Sequence, residues 1–151
     1  MALNDDLALL GSTPLFSDMP VEALRLLAFG AEHEKLHTGG TLYHQDDAAN
    51  CAYIIISGSV ELLSQTEGKA AISMGIIDRA GLLGEIALIA PAKRQFTVKA
   101  KDDSQLLRIN RDLFRRLLGE YPEIATLLQK RIQQNLADLL QKLGGLGHKF
   151  Q

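Results

Sequence analysis

The central part of the chain, from residue 31 to residue 110, is a series of short apolar runs separated by turn residues. The run Tyr53-Ile54-Ile55-Ile56 is typical of a buried strand, and Ser57-Gly58-Ser59 is predicted to be a hairpin turn that reverses the chain into Val60. Glu67-Gly68-Lys69 reverses the chain again. Many short strands at this spacing indicate an antiparallel sandwich or barrel, here of about eight strands.

The segment before this region has the apolar spacing of helices rather than strands. Residues 4 to 29 are predicted to form short helices broken by turns. Pro20 is expected to open the second helix, because proline fits the first position of a helix. The inner face of that helix is predicted to contain Val21, Leu24, Leu27 and Ala28.

Helical spacing returns after Asn110, which is a favourable N-cap residue. A first helix is expected to end at Gly119, and Pro122 begins a longer helix that Gly144-Gly145 should stop. Leucines and isoleucines recur along it at three- and four-residue steps: Ile124, Leu128, Ile132, Leu136, Leu139 and Leu143, with Leu127 and Leu140 beside them. The stripe is consistent with packing on the β-region, with a coiled coil to a partner helix, or with both.

Composition excludes several classes of protein. With 151 residues the chain is long enough for one domain with a substantial core. A net charge of -2 provides no general attraction to nucleic acid, and no apolar run approaches the roughly 20 residues that cross a bilayer. The acidic N-terminus does not resemble a secretory signal. Cys51 is the single cysteine, so a reducing cytoplasm is the expected compartment.

Residues 84 to 97 carry the most informative chemistry. Gly84 allows a close approach of the backbone, and a short helix that begins near Glu85 would point free N–H groups at an anion. Arg94 follows, at the start of the next strand, where its guanidinium can clamp a phosphate. A phosphate would repel Glu85, unless that carboxylate accepts a sugar hydroxyl. The alternative is a structural ion pair between Glu85 and Arg94.

The series Gly-Glu-Ile-Ala-Leu at 84–88, Arg94 and Thr-Val-Lys-Ala at 97–100 resembles the phosphate-binding cassette of cyclic-nucleotide-binding domains. That family includes the bacterial catabolite activator protein, the regulatory subunits of cAMP-dependent protein kinase and domains that gate ion channels. The resemblance covers nearly the whole chain. Its further segments are 14–16, 40–43 and 53–60 upstream, and 110–118, which is similar to the family's hinge helix.

The resemblance implies an α+β, mainly β fold. We expect an antiparallel β-roll, or jelly-roll-like barrel, with an N-terminal helical segment, a short cassette helix and two C-terminal helices. Residues 1–151 would form a single domain. Its parts would be N-terminal helices at 4–30, a β-roll at 31–110 with the cassette at 84–97, and hinge and lid or dimer helices at 111–143.

The resemblance also implies roles for individual residues. Arg94 would pair with the cyclic phosphate and Glu85 would accept the ribose 2′-hydroxyl. Next to Gly84, the backbone amides of Ile86 and Ala87 would complete the phosphate cradle. Met74 would touch the base, and a residue of the last helix would cover it.

Several positions depart from the family pattern. Gln95-Phe96 stands where the family has a small residue followed by alanine, so Phe96 needs space in the core beside the cradle. Gln95 removes the hydroxyl that often accompanies cGMP recognition, although its amide can contact a purine edge. Ala80-Gly81 replaces a common Gly-Asp turn. Asp46 replaces a turn glycine, a mild exchange because Asp tolerates the left-handed conformation.

The sequence therefore predicts a cytoplasmic regulatory sensor without catalytic activity. It would bind a cyclic nucleotide reversibly, with cAMP as the first candidate and cGMP as the second, and signal by movement of the C-terminal helices. No cofactor or metal is expected, because the histidines lack ligand spacing, and Cys51, in a turn, is expected to be inert. No helix-turn-helix follows the long helix, so direct DNA binding is not expected, nor is membrane binding.

The output would pass to an unknown effector protein or through a homodimer formed by residues 122–143. The alternative hypothesis is a ligand-free member of the same fold that acts as a dimerisation or protein-interaction module. Phe96 and the leucine-rich last helix suggest that alternative.

Overall fold

The computed structural model describes residues 2–149, with two helices before a β-region and two after it. The helices are α1 (Ala2–Ser12), α2 (Val21–Gly30), α3 (Arg111–Glu120) and α4 (Pro122–Lys149). The strands are β1 (Glu32–Leu36), β2 (Thr41–Tyr43), β3 (Ala48–Ala49), β4 (Cys51–Ser57), β5 (Val60–Ser64), β6 (Ile72–Ile77), β7 (Leu82–Leu83), β8 (Ala92–Lys93), β9 (Thr97–Ala100) and β10 (Ser104–Asn110). A 3₁₀ helix, Glu85–Leu88, lies between β7 and β8 and is called the cassette helix below.

The strands form two four-stranded sheets and one two-stranded ribbon. The first sheet has the order β1-β10-β4-β7, the second β2-β9-β5-β6, and the ribbon pairs β3 with β8. All pairings are antiparallel. The prediction of a mainly β, antiparallel roll with flanking helices is confirmed. Within residues 2–149 there are ten short strands rather than about eight, and the sheets do not close into a barrel.

The turn Ser57-Gly58-Ser59 is not a hairpin, and that prediction is wrong. β4 belongs to the first sheet and β5 to the second, so the turn is a corner between the sheets. Gly58 has φ +87, and a Cβ there would overlap the backbone oxygen of Asp103 and the side chain of Ser104. Flanking strands alone do not reveal which sheet each strand joins. Glu67-Gly68-Lys69 does connect a paired hairpin, β5 and β6.

Two apolar clusters cover opposite faces of the first sheet. Successive side chains of a strand point to opposite faces, and β4 is apolar on both. Ala52 and Ile54 pack with the helices, whereas Cys51, Tyr53 and Ile55 lie in the cluster shared with the second sheet. The continuous apolar run that identified this strand therefore reflects burial on two sides.

The inner face of α2 differs from the prediction at one residue. Ala23, Leu24, Leu27 and Ala28 are buried, whereas Val21 is 55% exposed. At 3.6 residues per turn, Val21 lies about 90° from the centre of the buried stripe. Pro20 is the N-cap residue, and the helix itself begins at Val21.

The C-terminal helices begin as predicted, but the last one ends later. Asn110 precedes α3 without capping it through its side chain, and α4 continues through Gly144-Gly145 to Lys149. The prediction that the glycine pair stops the helix at residue 143 is therefore wrong. Glycine costs about 1 kcal/mol relative to alanine inside a helix but does not clash with it.

The first half of α4 packs on the rest of the domain, which agrees with the interpretation of its apolar stripe as a packing surface. Leu128 and Ile132 are buried in the cluster that also contains α1 and α2 residues, and Leu127 is 43% exposed. The side chains of Leu136, Leu139, Leu140 and Leu143 lie outside the described part of the structure. None of the helices within residues 2–149 combines the length and apolar character needed to cross a membrane.

Candidate functional site

A cavity of about 390 Å³ opens between the second sheet, the cassette helix and α4. Seven of the eight residues predicted to bind a ligand line it: Gly84, Glu85, Ile86, Ala87, Arg94, Gln95 and Phe96. Most of the remaining wall is apolar, and α4 contributes two polar residues to it, Asn135 and Asp138. The other lining residues are Tyr43, Ala49, Leu62, Ile77, Leu82, Leu83, Ala92 and Lys93. The folded chain thus gathers residues from distant segments around the predicted cassette.

Gly84 joins β7 to the cassette helix in a conformation that favours glycine. Its φ is +72, and a Cβ at this position would overlap Nη1 of Arg94. Both the backbone and the space therefore require glycine here. The amide of Ala87 donates to the carbonyl of Gly84 at 3.1 Å, so an anion would have to share this predicted cradle donor.

Two backbone hydrogen bonds place Arg94 directly after β8, rather than at the start of β9. Its amide donates to the Asp47 carbonyl at 2.8 Å, and its carbonyl accepts from the Asp46 amide at 2.8 Å. Asp46 adopts φ +72, the left-handed conformation that the sequence predicted it would tolerate. The two-stranded ribbon and this turn therefore fix the backbone from which the Arg94 side chain enters the site.

The guanidinium of Arg94 is buried and lacks an anionic partner. The residue is 6% exposed, and its Nη2 donates to Sγ of Cys51 at 3.2 Å. Nε and Nη1 are buried without a hydrogen-bond partner. No carboxylate of the described chain lies within ion-pair distance, so the alternative of a Glu85–Arg94 ion pair is not formed. A buried cation with free donors is suited to accept an anion.

Two tyrosine rings lie next to this guanidinium. Its central carbon is 4.1 Å from the ring centroid of Tyr43 and 5.8 Å from that of Tyr53. Burial raises the pKa of Tyr43 to about 12, although Arg94 opposes the rise, and burial also raises the pKa of Tyr53. Both phenols are therefore neutral at physiological pH, and they contact the cation without neutralising it.

Glu85 faces α4. Its Oε2 accepts a hydrogen bond from Nδ2 of Asn135 at 3.1 Å. Burial raises the pKa of the Glu85 carboxyl above its ordinary value, and the bond from Asn135 partly opposes that rise. The last helix therefore contacts the cassette helix through Asn135, whereas cover of a base by a residue of this helix stays a prediction. Sequence reasoning did not single out Asn135, because it is one of several polar residues on this helix.

Arg111, the first residue of α3, was also missed. Its Nε donates to the carbonyl of Ala87 at 2.7 Å, and its Nη2 donates to the carbonyl of Ala49 at 2.6 Å. The hinge helix is thereby connected to the cassette helix and to β3. The hinge-helix motif was the only signal in the sequence, and it did not indicate these partners.

The surroundings of four further residues bear on the sequence predictions. Phe96 is half-buried in the cavity wall rather than packed in the core, and Gln95 is exposed. Cys51 begins β4 and is buried, so its placement in a turn was wrong. Met74 is half-buried and does not line the cavity. It has no partner in the β5–β6 register, which pairs Leu62 with Gly75 and Leu63 with Ser73; its contact with a base stays a prediction.

Comparison with known proteins agrees with this architecture. The profile of the family described as cyclic nucleotide-binding domain matches residues 33–121, and the chain belongs to that family. A cyclic nucleotide-binding-like protein from Brucella abortus is 37% identical, with a TM-score of 0.69 over 76% of this chain and 98% of that one.

In more distant relatives, the region that matches this chain is one part of a longer protein. The regulatory domain of Toxoplasma gondii PKA, solved with cAMP, is 22% identical, with a TM-score of 0.71 over 76% of this chain and 44% of that one. Lysophospholipase nte1 of Aspergillus terreus is 29% identical over 76% of this chain and 8% of its own length. The chain therefore spans less than a tenth of the length of such curated relatives.

Proposed function

We propose that this domain reversibly binds a cyclic purine nucleotide, with cAMP as the first candidate and cGMP as the second, and that it acts as a regulatory sensor. The observation that carries the proposal is the buried guanidinium of Arg94, which lines the cavity and has two donors, Nε and Nη1, without a hydrogen-bond partner in the described chain. Leaving a buried cation without a partner is costly. The oxygens of a cyclic phosphate would accept hydrogen bonds from its free Nε and Nη1.

The rest of the cavity is suited to a nucleoside. A volume of about 390 Å³ is within the range of small-molecule sites. The Glu85 carboxylate, whose Oε2 accepts a hydrogen bond from Asn135 in the ligand-free domain, can accept the ribose 2′-hydroxyl in its place. Leu62, Ile77 and Phe96 offer apolar surface to a base. The relative from Toxoplasma gondii was solved with cAMP, which supports the same class of ligand for this chain.

Signalling would follow from competition for Glu85. A ribose hydroxyl that binds this carboxylate would replace or reorient Asn135, and α4 would shift with it. Arg111 would carry a movement of the cassette helix to α3 through the carbonyl of Ala87. We therefore propose residues 111–149 as the moving part of a single domain. The shift can be no larger than the difference in ligand affinity between the two states.

The output would reach an effector protein or a second copy of the chain through α4, where Leu127 is 43% exposed. The same exposed residue favours the second candidate function, a ligand-free interaction module. The two candidates differ in one measurable respect, because only the sensor requires a nucleotide to occupy the Arg94 site.

Isothermal titration calorimetry with cAMP and with cGMP tests the proposal. We expect measurable binding, and Arg94→Met should weaken it at least tenfold, because a charge-assisted hydrogen bond contributes about 1.5 to 3 kcal/mol. Arg115→Met is the matched control, since Arg115 is exposed and does not line the cavity. Absence of heat and of a thermal shift at millimolar concentrations of both nucleotides would refute the sensor and favour the interaction module.

A further inference from the structure

The feature that the proposed function leaves unexplained is how a buried arginine stays in place before an anion arrives. Among the described residues, the Arg94 guanidinium has one hydrogen-bond acceptor, Sγ of Cys51, which is a weak one. Its backbone is fixed by Asp46 and Asp47, but those bonds do not fix the side chain. Another contact must compensate for the loss of water around the cation.

The face of the Tyr43 ring provides that contact. The guanidinium carbon lies 4.1 Å from the ring centroid, within the distance at which an aromatic quadrupole attracts a cation. The Tyr53 ring is more distant, at 5.8 Å. The two ring centroids are 6.1 Å apart and the rings are tilted by 34°, so both rings are neighbours of the same cation and Tyr43 is the nearer one.

An aromatic contact has a consequence that an ion pair would not have. A carboxylate next to Arg94 would occupy its donors and repel an incoming phosphate. An aromatic face attracts the charge but accepts none of the in-plane N–H groups, so Nε and Nη1 remain free. The Tyr43 phenol is neutral at physiological pH, and burial raises its pKa above the ordinary value. The cation is thus held in place while its capacity to bind an anion is preserved.

We propose that Tyr43 is a positioning residue, whose ring holds the Arg94 guanidinium in its anion-binding orientation before the ligand enters. The gain in ligand affinity rests on the proposed function, whereas the contact in the free domain does not. Tyr43 comes from β2 and itself lines the cavity, so it is placed to act on the site directly.

The decisive experiment reduces the partial negative charge on the face of the aromatic ring at position 43 while it keeps the shape of the side chain nearly constant. Phenylalanine and trifluorinated phenylalanine are placed at position 43, and affinity for cAMP and the urea midpoint of the ligand-free domain are measured for each. We expect trifluorination to weaken cAMP binding about fivefold to tenfold relative to phenylalanine, because fluorine withdraws the negative charge from the ring face. The same pair of replacements at Tyr121, outside the cavity, is the control and should leave affinity unchanged.

The ligand-free arm separates this proposal from the proposed function. Trifluorination should lower the urea midpoint when residue 94 is arginine, and much less in the Arg94→Met background, because only the first contains a cation. This difference is measurable whether or not any nucleotide binds. Equal midpoint shifts in both backgrounds would refute the aromatic contact. A background-dependent shift with unchanged cAMP affinity would refute the positioning role alone. If the phenylalanine or trifluorinated phenylalanine variant does not fold, Tyr43→Met and Arg94→Met with their double variant provide the same comparison.

Discussion

Two arginines approach the cassette, and they differ in what their donors reach. Arg111 donates hydrogen bonds from Nε and Nη2 to the backbone carbonyls of Ala87 and Ala49. Arg94 is more deeply buried, yet its Nε and Nη1 have no partner in the described chain. An arginine with satisfied donors connects segments of the fold, whereas a buried arginine with free donors marks a place for an anion. Removal of the Arg111 charge should therefore destabilise the fold. Removal of the Arg94 charge should weaken ligand binding without destabilising the ligand-free domain.

The largest effect on stability is expected at Arg111. Arg111→Met removes two charge-assisted hydrogen bonds to backbone carbonyls, so the free energy of unfolding should fall by about 3 kcal/mol. Urea denaturation followed by circular dichroism measures this change. Arg115→Met, on the exposed face of the same helix, should stay within about 0.5 kcal/mol of the parent. If Arg111→Met unfolds like that control, the comparison between the two arginines fails.

Arg94→Met should have the opposite sign in the ligand-free domain. It replaces a buried, unpaired cation by an apolar side chain, so the free energy of unfolding should rise by about 1 kcal/mol even though binding is weakened. The measurement is the same urea titration, performed without nucleotide. A loss of stability as large as that of Arg111→Met would mean that Arg94 is a structural residue.

Glu85 is the acidic residue of the cassette helix, and its ionisation extends the comparison of the two arginines to a partly buried carboxylate. Because burial raises its pKa in the ligand-free fold, the folded state favours the protonated carboxyl. The folded domain then binds more protons than the unfolded chain, and its stability decreases as the pH rises from the unfolded pKa through the higher folded pKa.

Glu85→Gln should remove this pH dependence. The variant should be more stable than the parent at neutral pH and lose that advantage when the pH falls below the unfolded pKa of the carboxyl. Thermal melts of both proteins between pH 3 and pH 7 would reveal the difference, a range chosen because glutamate titrates at about 4.3 when unperturbed. An advantage that is independent of pH would exclude the ionised carboxylate as its cause.

The smallest effect is expected at Ala80, where a cost in stability has no connection to the ligand. Ala80 has φ +68 and does not line the cavity. Ala80→Gly should raise the free energy of unfolding by about 0.5 to 1 kcal/mol, because glycine adopts this conformation without strain. Affinity for cAMP should stay unchanged. Ala137→Gly, on the exposed surface of α4, should instead destabilise by about 1 kcal/mol.

Prediction from sequence succeeded where the relevant contacts are local. The β-roll, the cassette helix and the start of each C-terminal helix were correctly expected, whereas ligand binding by Gly84, Glu85 and Arg94 stays a prediction. Prediction from sequence failed where distant segments decide. The corner at Ser57-Gly58-Ser59 depends on which strands pair, and the placement of Cys51 depends on where β4 begins. The prediction that Gly144-Gly145 stops the last helix also failed, because α4 continues to Lys149.

The amino-acid sequence by itself determined the kind of domain and the cassette, because short turns and strand periodicity depend on neighbouring residues. Only the tertiary structure decided how the site is completed. It brings the Tyr43 ring to the guanidinium of Arg94, Asn135 to the carboxylate of Glu85, and Arg111 to the carbonyl of Ala87. These partners come from different strands and helices, and their proximity results from sheet pairing and helix packing, which no local pattern of residues records.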